Sequence, residues 1–588
     1  MKCRPEGKQM SSVNVRIAGA NGDGVESSGT LLVKVAANDG LQVFGYRGYQ
    51  SIIRGGHVWF QVRVGDGAEK LHSHGDGIDV LVALNQDSIA NQKSHLNANA
   101  VVIYDPTKVN VQGLDASKCK LLPIPILDIA VKESGDPIMR NTVAMGAVIK
   151  LLGINMSVFE EVIRRMFGRK GENVVKSNVN VASVGYSYEG VSTIYSLKSD
   201  GKKRYTMDGN TALSIGAYAA GCKFYSAYPM TPASGVLHWF AAHDNKGVLF
   251  KQTEDEIAAI NMAIGASYSG VRAMTGSSGG GFSLMVEALG FAGMIETPLV
   301  VVEVQRGGPS TGLPTKTEQA DLLFVMHASQ GEYPRIVVSP RDMNECFTLA
   351  TQAFNLADKY QCPVLIISDM FLAEHFGTVD GFDIGSVKID RGKIAMAVPE
   401  GTRFKRYEYT QDGVSPRSIP GTKGVEFIAP TDEHDEYGDL ISDAFAGLDS
   451  SIDTRVKMHD KRMRKMDMML KNESIFVPHI ENPNAKQFLV TWGSTTMPSR
   501  EAVVLLKEKG LDFGIISFSY LLPLDKEKTA AMLKGKKLID VECNYTAQLA
   551  QVIMMNTGID IKDRILKYDG EAITGKEIAK KAEQISKT

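Results

Sequence analysis

The sequence predicts an α/β protein built from several doubly wound domains. Short, almost wholly apolar strands alternate with helical stretches in three separate blocks of the 588-residue chain. Strands of this kind are typical of parallel sheets that helices cover on both faces. At roughly 150 residues per domain, the chain is too long for one hydrophobic core, and we expect about three to five domains.

The first block opens with a strand at residues 13–18, a glycine-rich turn and a helix at 27–38. Further strands are expected at 58–64, 79–84 and 100–104, and a helix at 141–152. We predict a disordered tail at residues 1–10 and a first domain at 11–198. The polar, basic stretch that follows, SDGKKR at residues 199–204, is typical of a domain boundary.

The second block, residues 205–390, repeats the same alternation. It has a predicted helix at 209–220 and apolar strands at 223–229, 298–304 and 363–368. Residues 391–484 are richer in glycine, proline and charge, which predicts a connecting region with one exposed, methionine-rich helix at 453–472. A third α/β block is expected at 485–588, starting with a strand at 487–492.

Composition and charge exclude several classes of protein. Lysine plus arginine number 65 and aspartate plus glutamate 67, a formal charge of −2, so we expect neither a nucleic-acid nor a membrane partner. The six cysteines are scattered without a C-x-x-C pair, which argues against a disulfide framework and an iron–sulfur cluster held by this chain alone. We predict a cytoplasmic protein whose own side chains form no metal site.

The turn after the first strand is a candidate anion site. It reads GANGDG at residues 19–24, and Gly22 and Gly24 would let backbone N–H groups approach an anion at the helix N-terminus. The spacing is that of neither a dinucleotide fingerprint nor a Walker loop. Arg54, beside two glycines, suits a phosphate or carboxylate. An ordinary tight turn, and a surface ion pair for Arg54, remain open alternatives.

A second candidate follows a predicted strand of the middle block, where the sequence reads YPMTP at residues 228–232. Two prolines fix the backbone around Thr231 and hold it at the carboxyl edge of the sheet, where ligands of open α/β sheets bind. The alternative is a plain turn in which Thr231 or Ser234 caps a helix.

Two further segments carry charged groups. Glu254 and Glu256 precede a helical stretch, although Thr253 and Glu256 also fit a capping box. Arg306 lies just past an apolar strand among small residues, where a guanidinium suits bidentate capture of a carboxylate. A salt bridge to a neighbouring domain is its alternative. Between them, a glycine-rich loop at 275–281 precedes a helix expected to begin at Phe282.

Together and in this order, the motifs resemble the fused gamma–alpha subunit of the 2-oxoacid:ferredoxin oxidoreductases, thiamine-diphosphate enzymes that interconvert 2-oxoacids and acyl-CoA. Met230 stands where the family usually has isoleucine, and Gly280 where it often has proline. The resemblance extends over nearly the whole chain and is carried by residues 19–24 with 54–56, 228–232 (YPMTP), 254–259 (EDEIAA), 264–267 (IGAS), 279–285 (GGGFSLM), 305–312 (QRGGPSTG) and 541–545 (VECNY).

The resemblance implies a division of labour between subunits. The three blocks would be a gamma-like domain associated with coenzyme A, a pyrimidine-binding-type domain and a transketolase C-terminal-like domain. A separate beta subunit would hold the thiamine diphosphate–Mg²⁺ site and a [4Fe–4S] cluster, and pass electrons to ferredoxin. A dimer of heterodimers is expected.

The resemblance also implies roles for single residues. Glu256, with Glu254 as its competitor, would bond the aminopyrimidine N1′ and so favour the tautomer that activates the cofactor. Arg306 would bind the carboxylate that leaves as CO₂, with Thr231 on the adjacent substrate oxygen. The rest of the substrate pocket would be formed by Tyr228, Ser310 and Thr311. The coenzyme A side would be lined by Gly22, Gly24 and Arg54.

The expected substrate is 2-oxoglutarate, converted to succinyl-CoA and CO₂ or formed in the reverse, reductive carboxylation. Pyruvate, or a broad range of 2-oxoacids, is the alternative within the family. A transketolase-like or decarboxylating thiamine enzyme would not explain the gamma-like first block. Joint retention of Thr231, Glu256 and Arg306 argues against a non-catalytic structural subunit.

Overall fold

The computed structural model describes residues 12–51, 55–115, 117–441 and 449–587. Three sheets with packed helices confirm the predicted α/β class. The tail predicted at residues 1–10 lies outside the described residues. In the described ranges, no helix combines the length and apolar character that crossing a membrane requires.

The first block forms a mixed sheet in the order β6-β5-β4-β1-β3-β2, in which β1 is parallel to β4 and antiparallel to β3. Five helices, α1 and α3 to α6, share one core with a single face of this sheet. The elements are β1 (Ser12–Asn21), α1 (Val25–Asn38), β2 (Gln42–Gly48), β3 (Gly55–Gly65), β4 (Ile78–Ala83), α2 (Gln86–Gln92), β5 (Leu96–Tyr104), β6 (Cys119–Pro123), α3 (Ile126–Ser134), α4 (Arg140–Leu151), α5 (Met156–Phe167) and α6 (Glu172–Tyr186).

The second block contains six parallel strands in the order β12-β13-β11-β10-β8-β9. Helices α7, α8 and α12 pack on one face, and α9, α10 and α11 on the other. The elements are β7 (Tyr205–Met207), α7 (Gly209–Ala219), β8 (Phe224–Ala227), α8 (Ser234–Ala242), β9 (Leu249–Gln252), α9 (Glu256–Tyr268), β10 (Ala273–Ser277), α10 (Gly279–Met294), β11 (Leu299–Gln305), α11 (Leu322–Met326), β12 (Ile336–Val338), α12 (Met343–Tyr360), β13 (Pro363–Asp369), α13 (Met370–Glu374) and β14 (Phe376–Val379).

The remainder of the chain contributes one long helix and a five-stranded sheet in the order β15-β17-β16-β19-β20. Only β15 in this sheet is antiparallel to its neighbour. The elements are α14 (Asp449–Asn472), β15 (His479–Glu481), β16 (Gln487–Trp492), α15 (Thr496–Glu508), β17 (Phe513–Phe518), β18 (Tyr520–Leu522), α16 (Lys526–Leu533), β19 (Lys537–Glu542), α17 (Gln548–Thr557), β20 (Asp563–Leu566) and α18 (Gly575–Lys587).

Three short strands lie across the predicted boundaries. β14 pairs with β2, and β7 pairs with β14, so the second block adds two strands to the first sheet. β18 of the third block pairs antiparallel with β12 and extends the second sheet. Their partners are far away in sequence, which is why local periodicity did not reveal the pairing.

The long helix α14 contradicts the prediction of an exposed connecting helix. Met458, Lys461, Lys465 and Met469 are fully buried in it. Both lysines form ion pairs with Glu296, which follows α10, and Lys465 Nζ lies 2.6 Å from Glu296 Oε2. A charge-rich pattern normally marks a solvated face, but here a buried carboxylate from another element neutralises part of the charge.

Candidate active site

Three of the predicted site residues, Thr231, Glu256 and Arg306, lie at the carboxyl edge of the second sheet. Thr231 follows β8, Glu256 follows β9, and Arg306 follows β11. Because β8, β9 and β11 all run parallel in this sheet, their ends lie on the same edge, where α/β proteins bind ligands. Thr231 and Arg306, which are 75 positions apart in the sequence, are thereby brought together.

Arg306 and Thr231 are in direct contact. Arg306 Nη1 donates a hydrogen bond of 2.7 Å to the backbone carbonyl of Thr231. Among the described residues this is the one hydrogen bond of the Arg306 side chain, and no ion pair to a neighbouring domain holds it. Partial burial lowers the pKa of Arg306, as expected for a cation without a carboxylate partner. The guanidinium therefore retains donors for an anion.

Thr231 does not cap a helix. Helix α8 begins at Ser234, its N-cap is Ala233, and no side chain caps it, so the helix-cap alternative for Thr231 and Ser234 is wrong. Tyr228 is 39% exposed beside this turn. Its side chain makes no hydrogen bond to Arg306 in the described structure.

The loop after Arg306 is a tight turn. The backbone N–H of Leu313 donates to the carbonyl of Gly307 across 2.7 Å. Gly312 has a positive φ, and a Cβ at this position would overlap the Gly307 carbonyl, so only glycine fits. Ser310 and Thr311 at the tip of the turn are exposed.

Glu256 is 3% exposed at the first turn of α9. The capping-box alternative is wrong, because the N-cap is Asp255, whose side chain accepts from the N–H of Ala258 at 2.8 Å. The hydroxyl of Thr253 donates instead to the carbonyl of Asp255. Glu256 is thus not needed to cap its own helix, and its carboxylate turns inward, whereas the Glu254 side chain is exposed.

Glu256 packs against the start of α10. Ser277 Oγ donates to Glu256 Oε1 across 3.4 Å. A Cβ at Gly281 would overlap both Ser277 Oγ and Glu256 Oε1, so this glycine makes room for the carboxylate. The predicted loop is shorter than expected: residues 275–277 belong to β10, and α10 begins at Gly279 rather than Phe282.

The glycine turn of the first block is closed by Asp23. Its Oδ2 accepts from the backbone N–H of Ala20 at 2.8 Å, and its Oδ1 pairs with Arg140 at 2.7 Å. Gly22 and Gly24 both have positive φ. These contacts are those of an ordinary tight turn, which was the alternative interpretation of this segment. A Cβ at Gly22 would meet nothing within 4 Å. Arg54 lies outside the described residues.

Three acids behind the site were missed by sequence reasoning. Glu303 inside β11 and Asp369 at the end of β13 are fully buried, and Asp321 ahead of α11 is partly buried. Burial, together with Glu318, raises the pKa of Asp321 to about 6. The available signal was Glu303 itself, because a charged residue inside an apolar strand is rarely buried without a reason.

Helices α9 and α10 present apolar side chains to solvent beside the site. Ile257 is 50% exposed and Leu284 51% exposed, and Met262 on α9 and Leu249 on β9 are also exposed. On α10, the exposed residues Gly280, Ser283, Leu284 and Glu287 follow the spacing of one helical face. The face is typical of a surface that another protein covers.

Two family models match long stretches of this chain. Residues 14–188 match a family model described as pyruvate ferredoxin/flavodoxin oxidoreductase. Residues 215–452 match one described as the thiamine-diphosphate-binding part of pyruvate flavodoxin/ferredoxin oxidoreductase. The second match contains Thr231, Glu256 and Arg306.

Relatives match along almost the whole chain. The 2-oxoacid:ferredoxin oxidoreductase subunit alpha of a Sulfolobus species is 33% identical, over 96% of this chain and 95% of its own. The 2-oxoglutarate oxidoreductase subunit KorA of Mycobacterium tuberculosis is 30% identical, over 98% and 92%.

A solved structure matches with a TM-score of 0.88 and 33% identity, covering 98% of this chain and all of that one. It is the 2-oxoglutarate:ferredoxin oxidoreductase of Magnetococcus marinus with 2-oxoglutarate, coenzyme A and succinyl-CoA bound. The predicted resemblance is confirmed, and the chain belongs to the 2-oxoacid:ferredoxin oxidoreductases as an alpha-type subunit.

Proposed function

We propose that this chain is the gamma–alpha subunit of a 2-oxoglutarate:ferredoxin oxidoreductase. The enzyme would convert 2-oxoglutarate and coenzyme A to succinyl-CoA and CO₂ while reducing ferredoxin, or run the reverse, reductive carboxylation. The contact of Arg306 with Thr231, at the same sheet edge as the buried Glu256, carries the proposal. Relatives named for 2-oxoglutarate support the substrate.

The residues around Glu256 suit the aminopyrimidine ring of thiamine diphosphate. Glu256 offers a nearly buried carboxylate with few other partners, and a Cβ at the nearby Gly280 would meet nothing within 4 Å. The cofactor would supply a carbon nucleophile for the keto carbon and accept the electrons of the departing carboxylate. Glu256 would hold a proton at N1′ of that ring.

Arg306 and Thr231 would position the substrate. The free donors of the guanidinium bind the carboxylate that leaves as CO₂, and the fixed backbone at Thr231 holds the arginine in place. The Thr231 hydroxyl is proposed to donate to a substrate oxygen, with Tyr228, Ser310 and Thr311 enclosing the pocket mouth. Burial of this edge by a partner would strengthen each of these contacts.

The exposed apolar face of α9 and α10 is proposed to receive the beta subunit. That subunit would bring the diphosphate–Mg²⁺ part of the cofactor site and the [4Fe–4S] cluster, and two such pairs would form a dimer of heterodimers. The scattered cysteines of this chain agree with a cluster held elsewhere. Gly22, Gly24 and Arg54 of the gamma-like domain are proposed to line the coenzyme A side.

The substrate is tested by kcat/KM of the complex for 2-oxoglutarate, pyruvate and 2-oxobutyrate, with ferredoxin and coenzyme A present. We expect 2-oxoglutarate to have the highest value. A pyruvate preference of tenfold, about 1.4 kcal/mol in transition-state binding, would overturn the choice and favour the pyruvate or broad-range alternative.

Expressed alone, the chain is expected to be colourless and inactive, because it is proposed to hold neither the cluster nor the whole cofactor site. Co-expressed with its beta subunit, it should co-purify as a brown, active complex of at least two chains. Absorbance, acid-labile iron, thiamine content and light scattering check this. A brown, active preparation of the single chain would refute the division between subunits.

Arg306→Ala is expected to lower 2-oxoacid turnover by roughly 30- to 1000-fold, since losing a charged partner for the carboxylate costs about 2–4 kcal/mol. The fold and the thiamine content of the complex should be unchanged. Arg403→Ala, which removes an exposed ion pair with Asp439, is the matched control. Normal turnover in Arg306→Ala would show that another group binds the carboxylate.

A further inference from the structure

The third block reaches the candidate active site through Gln319. This residue is fully buried and lies between the turn after Arg306 and helix α11. Its backbone N–H donates to the carbonyl of Cys543 at 2.7 Å, and the N–H of Cys543 donates to Gln319 Oε1 at 3.1 Å. Asn544 Nδ2 donates to the Gln319 carbonyl at 3.0 Å. Both partners belong to the VECNY segment at residues 541–545, to which the proposed function gives no role.

The amide nitrogen of the Gln319 side chain binds to both sheets. It donates to the backbone carbonyl of Trp492 at 3.2 Å and to Asp369 Oδ2 at 3.3 Å. Trp492 ends β16 and Asp369 ends β13, so Gln319 lies where the carboxyl edges of the second and third sheets meet. The N–H, the carbonyl and both side-chain atoms of Gln319 thus all have partners, which fixes the residue in one orientation.

The return segment, residues 316–321, holds the backbone on both sides of Arg306, and Gln319 lies within it. Three hydrogen bonds join this segment to the residues beside the arginine: the Asp321 N–H to Gln305 Oε1 at 2.9 Å, the Gly307 N–H to the Lys316 carbonyl at 3.0 Å and the Gly308 N–H to Glu318 Oε2 at 3.0 Å. A shift of the return segment would therefore move the backbone that carries Arg306.

The third block also contacts the return segment on either side of Gln319. The backbone N–H of Thr317 donates to the carbonyl of Gly570 at 3.2 Å. Gln548 Nε2, at the start of α17, donates to the carbonyl of Ala320 at 2.6 Å. The position of the segment is therefore set by the third block as well as by the sheet that carries Arg306.

We propose that Gln319 is a positioning residue for Arg306, and that the VECNY segment acts on the site through it. Gln319 fixes the return segment to the third block, and the return segment fixes the backbone at Arg306. The guanidinium is held separately by the Thr231 carbonyl, so both ends of the arginine are fixed. This role rests on the proposed function, because it assumes that Arg306 binds the 2-oxoacid.

The first test is Gln319→Ala in the complex with the beta subunit. It should lower kcat/KM for the 2-oxoacid by about tenfold, because a small misplacement of a binding group is enough for such a loss. Exchange of the cofactor C2 hydrogen should remain normal, since Glu256 is carried by α9. Gln319→Glu is the second variant, because it keeps the volume and the acceptor for Cys543 but loses both donors, and it should show the same selective loss.

Gln361→Ala is the matched control. Gln361 is also fully buried and donates to the carbonyl of Ser415 at 2.7 Å, but it precedes β13 at the opposite, amino edge of the second sheet. This variant should lower Tm and leave kcat/KM within about twofold of wild type. An equal loss of kcat/KM in Gln361→Ala and Gln319→Ala would mean that general destabilisation explains the effect, and would overturn the proposal.

A double-mutant cycle tests whether Gln319 acts through Arg306. Added to Arg306→Ala, Gln319→Ala should lower kcat/KM by less than about twofold further, because the side chain that it positions is already gone. A further tenfold loss would show that Gln319 acts on another group. Wild-type kcat/KM in the single Gln319→Ala variant would show that the residue only stabilises the fold. Either result would overturn the proposal.

Hydrogen–deuterium exchange of the complex tests the backbone contact without turnover. The N–H groups of Gly307 and Gly308 should exchange faster in Gln319→Ala than in the wild type, because the segment that accepts their hydrogen bonds is loosened. Unchanged exchange at both positions would refute the proposal. If Arg306→Ala oxidises 2-oxoacids normally, the proposed function of Arg306 fails, and the exchange rates still decide whether Gln319 holds its backbone.

Discussion

Glu256→Gln is expected to slow turnover of the complex by roughly 10²- to 10⁴-fold, the range typical of losing a general acid–base group. Glutamine has nearly the same shape, so packing against Gly281 and the contact with Ser277 should persist. What is lost is the negative oxygen that would hold a proton at the cofactor ring. The fold and the bound thiamine should therefore remain.

The measurement is exchange of the cofactor C2 hydrogen with deuterated solvent, which isolates cofactor activation from substrate binding. Glu254→Gln is the matched control, since Glu254 is exposed two residues away and should exchange normally. Normal exchange in Glu256→Gln with loss in Glu254→Gln would reverse the assignment. If Glu256→Ala merely lowered Tm, the residue would be structural.

Glu296→Ala is expected to destabilise the protein by about 3–5 kcal/mol, the usual cost of removing one partner from a buried ion pair. Lys461 and Lys465 would both lose the carboxylate that neutralises them inside the protein. Thermal or denaturant unfolding of the complex measures the loss. Asp412→Ala, which breaks a half-exposed pair with Lys393, should cost at most about 1 kcal/mol. A similar decrease in the free energy of unfolding in both variants would contradict the expected importance of the buried ion pair.

The same group makes stability depend on pH. Burial alone would raise the pKa of Glu296, but Lys461 and Lys465 hold it below the ordinary value of 4.5. Its contribution is therefore complete above pH 4.5 and is lost as the pH falls further. Burial lowers the pKa of Lys461 to about 7 despite Glu296. In Glu296→Ala the two lysines lose their protons more easily as the pH rises. The difference in unfolding free energy between the wild type and the variant should therefore decrease toward alkaline pH.

Local sequence patterns predicted the sheet edge at which Thr231 and Arg306 lie, but not the pairings between the blocks. Thr231 and Arg306 each follow an apolar strand that the sequence predicts, and parallel strands bring their carboxyl ends to one edge. The short, largely exposed strand β9 before Glu256 was not predicted. Prolines beside Thr231 and glycines beside Arg306 marked the turns. The sequence did not predict that Glu303 and Asp321 lie near each other, because their proximity comes from the packing of α10 and α11 on the sheet.

Helix α14 shows why the prediction of an exposed connecting helix failed. Its many lysines predicted a solvent-exposed helix, because the sequence does not reveal that Glu296 forms ion pairs with Lys461 and Lys465. The N-cap of α9 likewise depended on which side chain, that of Thr253 or that of Asp255, accepts a hydrogen bond from the helix backbone. Such choices are made by tertiary contacts that a single sequence leaves open.

The strand exchanges between blocks also bear on how the chain can be divided. A cut at residue 200 would remove β14 and β7 from the first sheet and leave β2 as a bare edge, a template for aggregation. A cut before β15 would likewise strip β18 from β12. Any block that is exchanged between relatives or produced alone therefore has to include the strands from other blocks that complete its sheet.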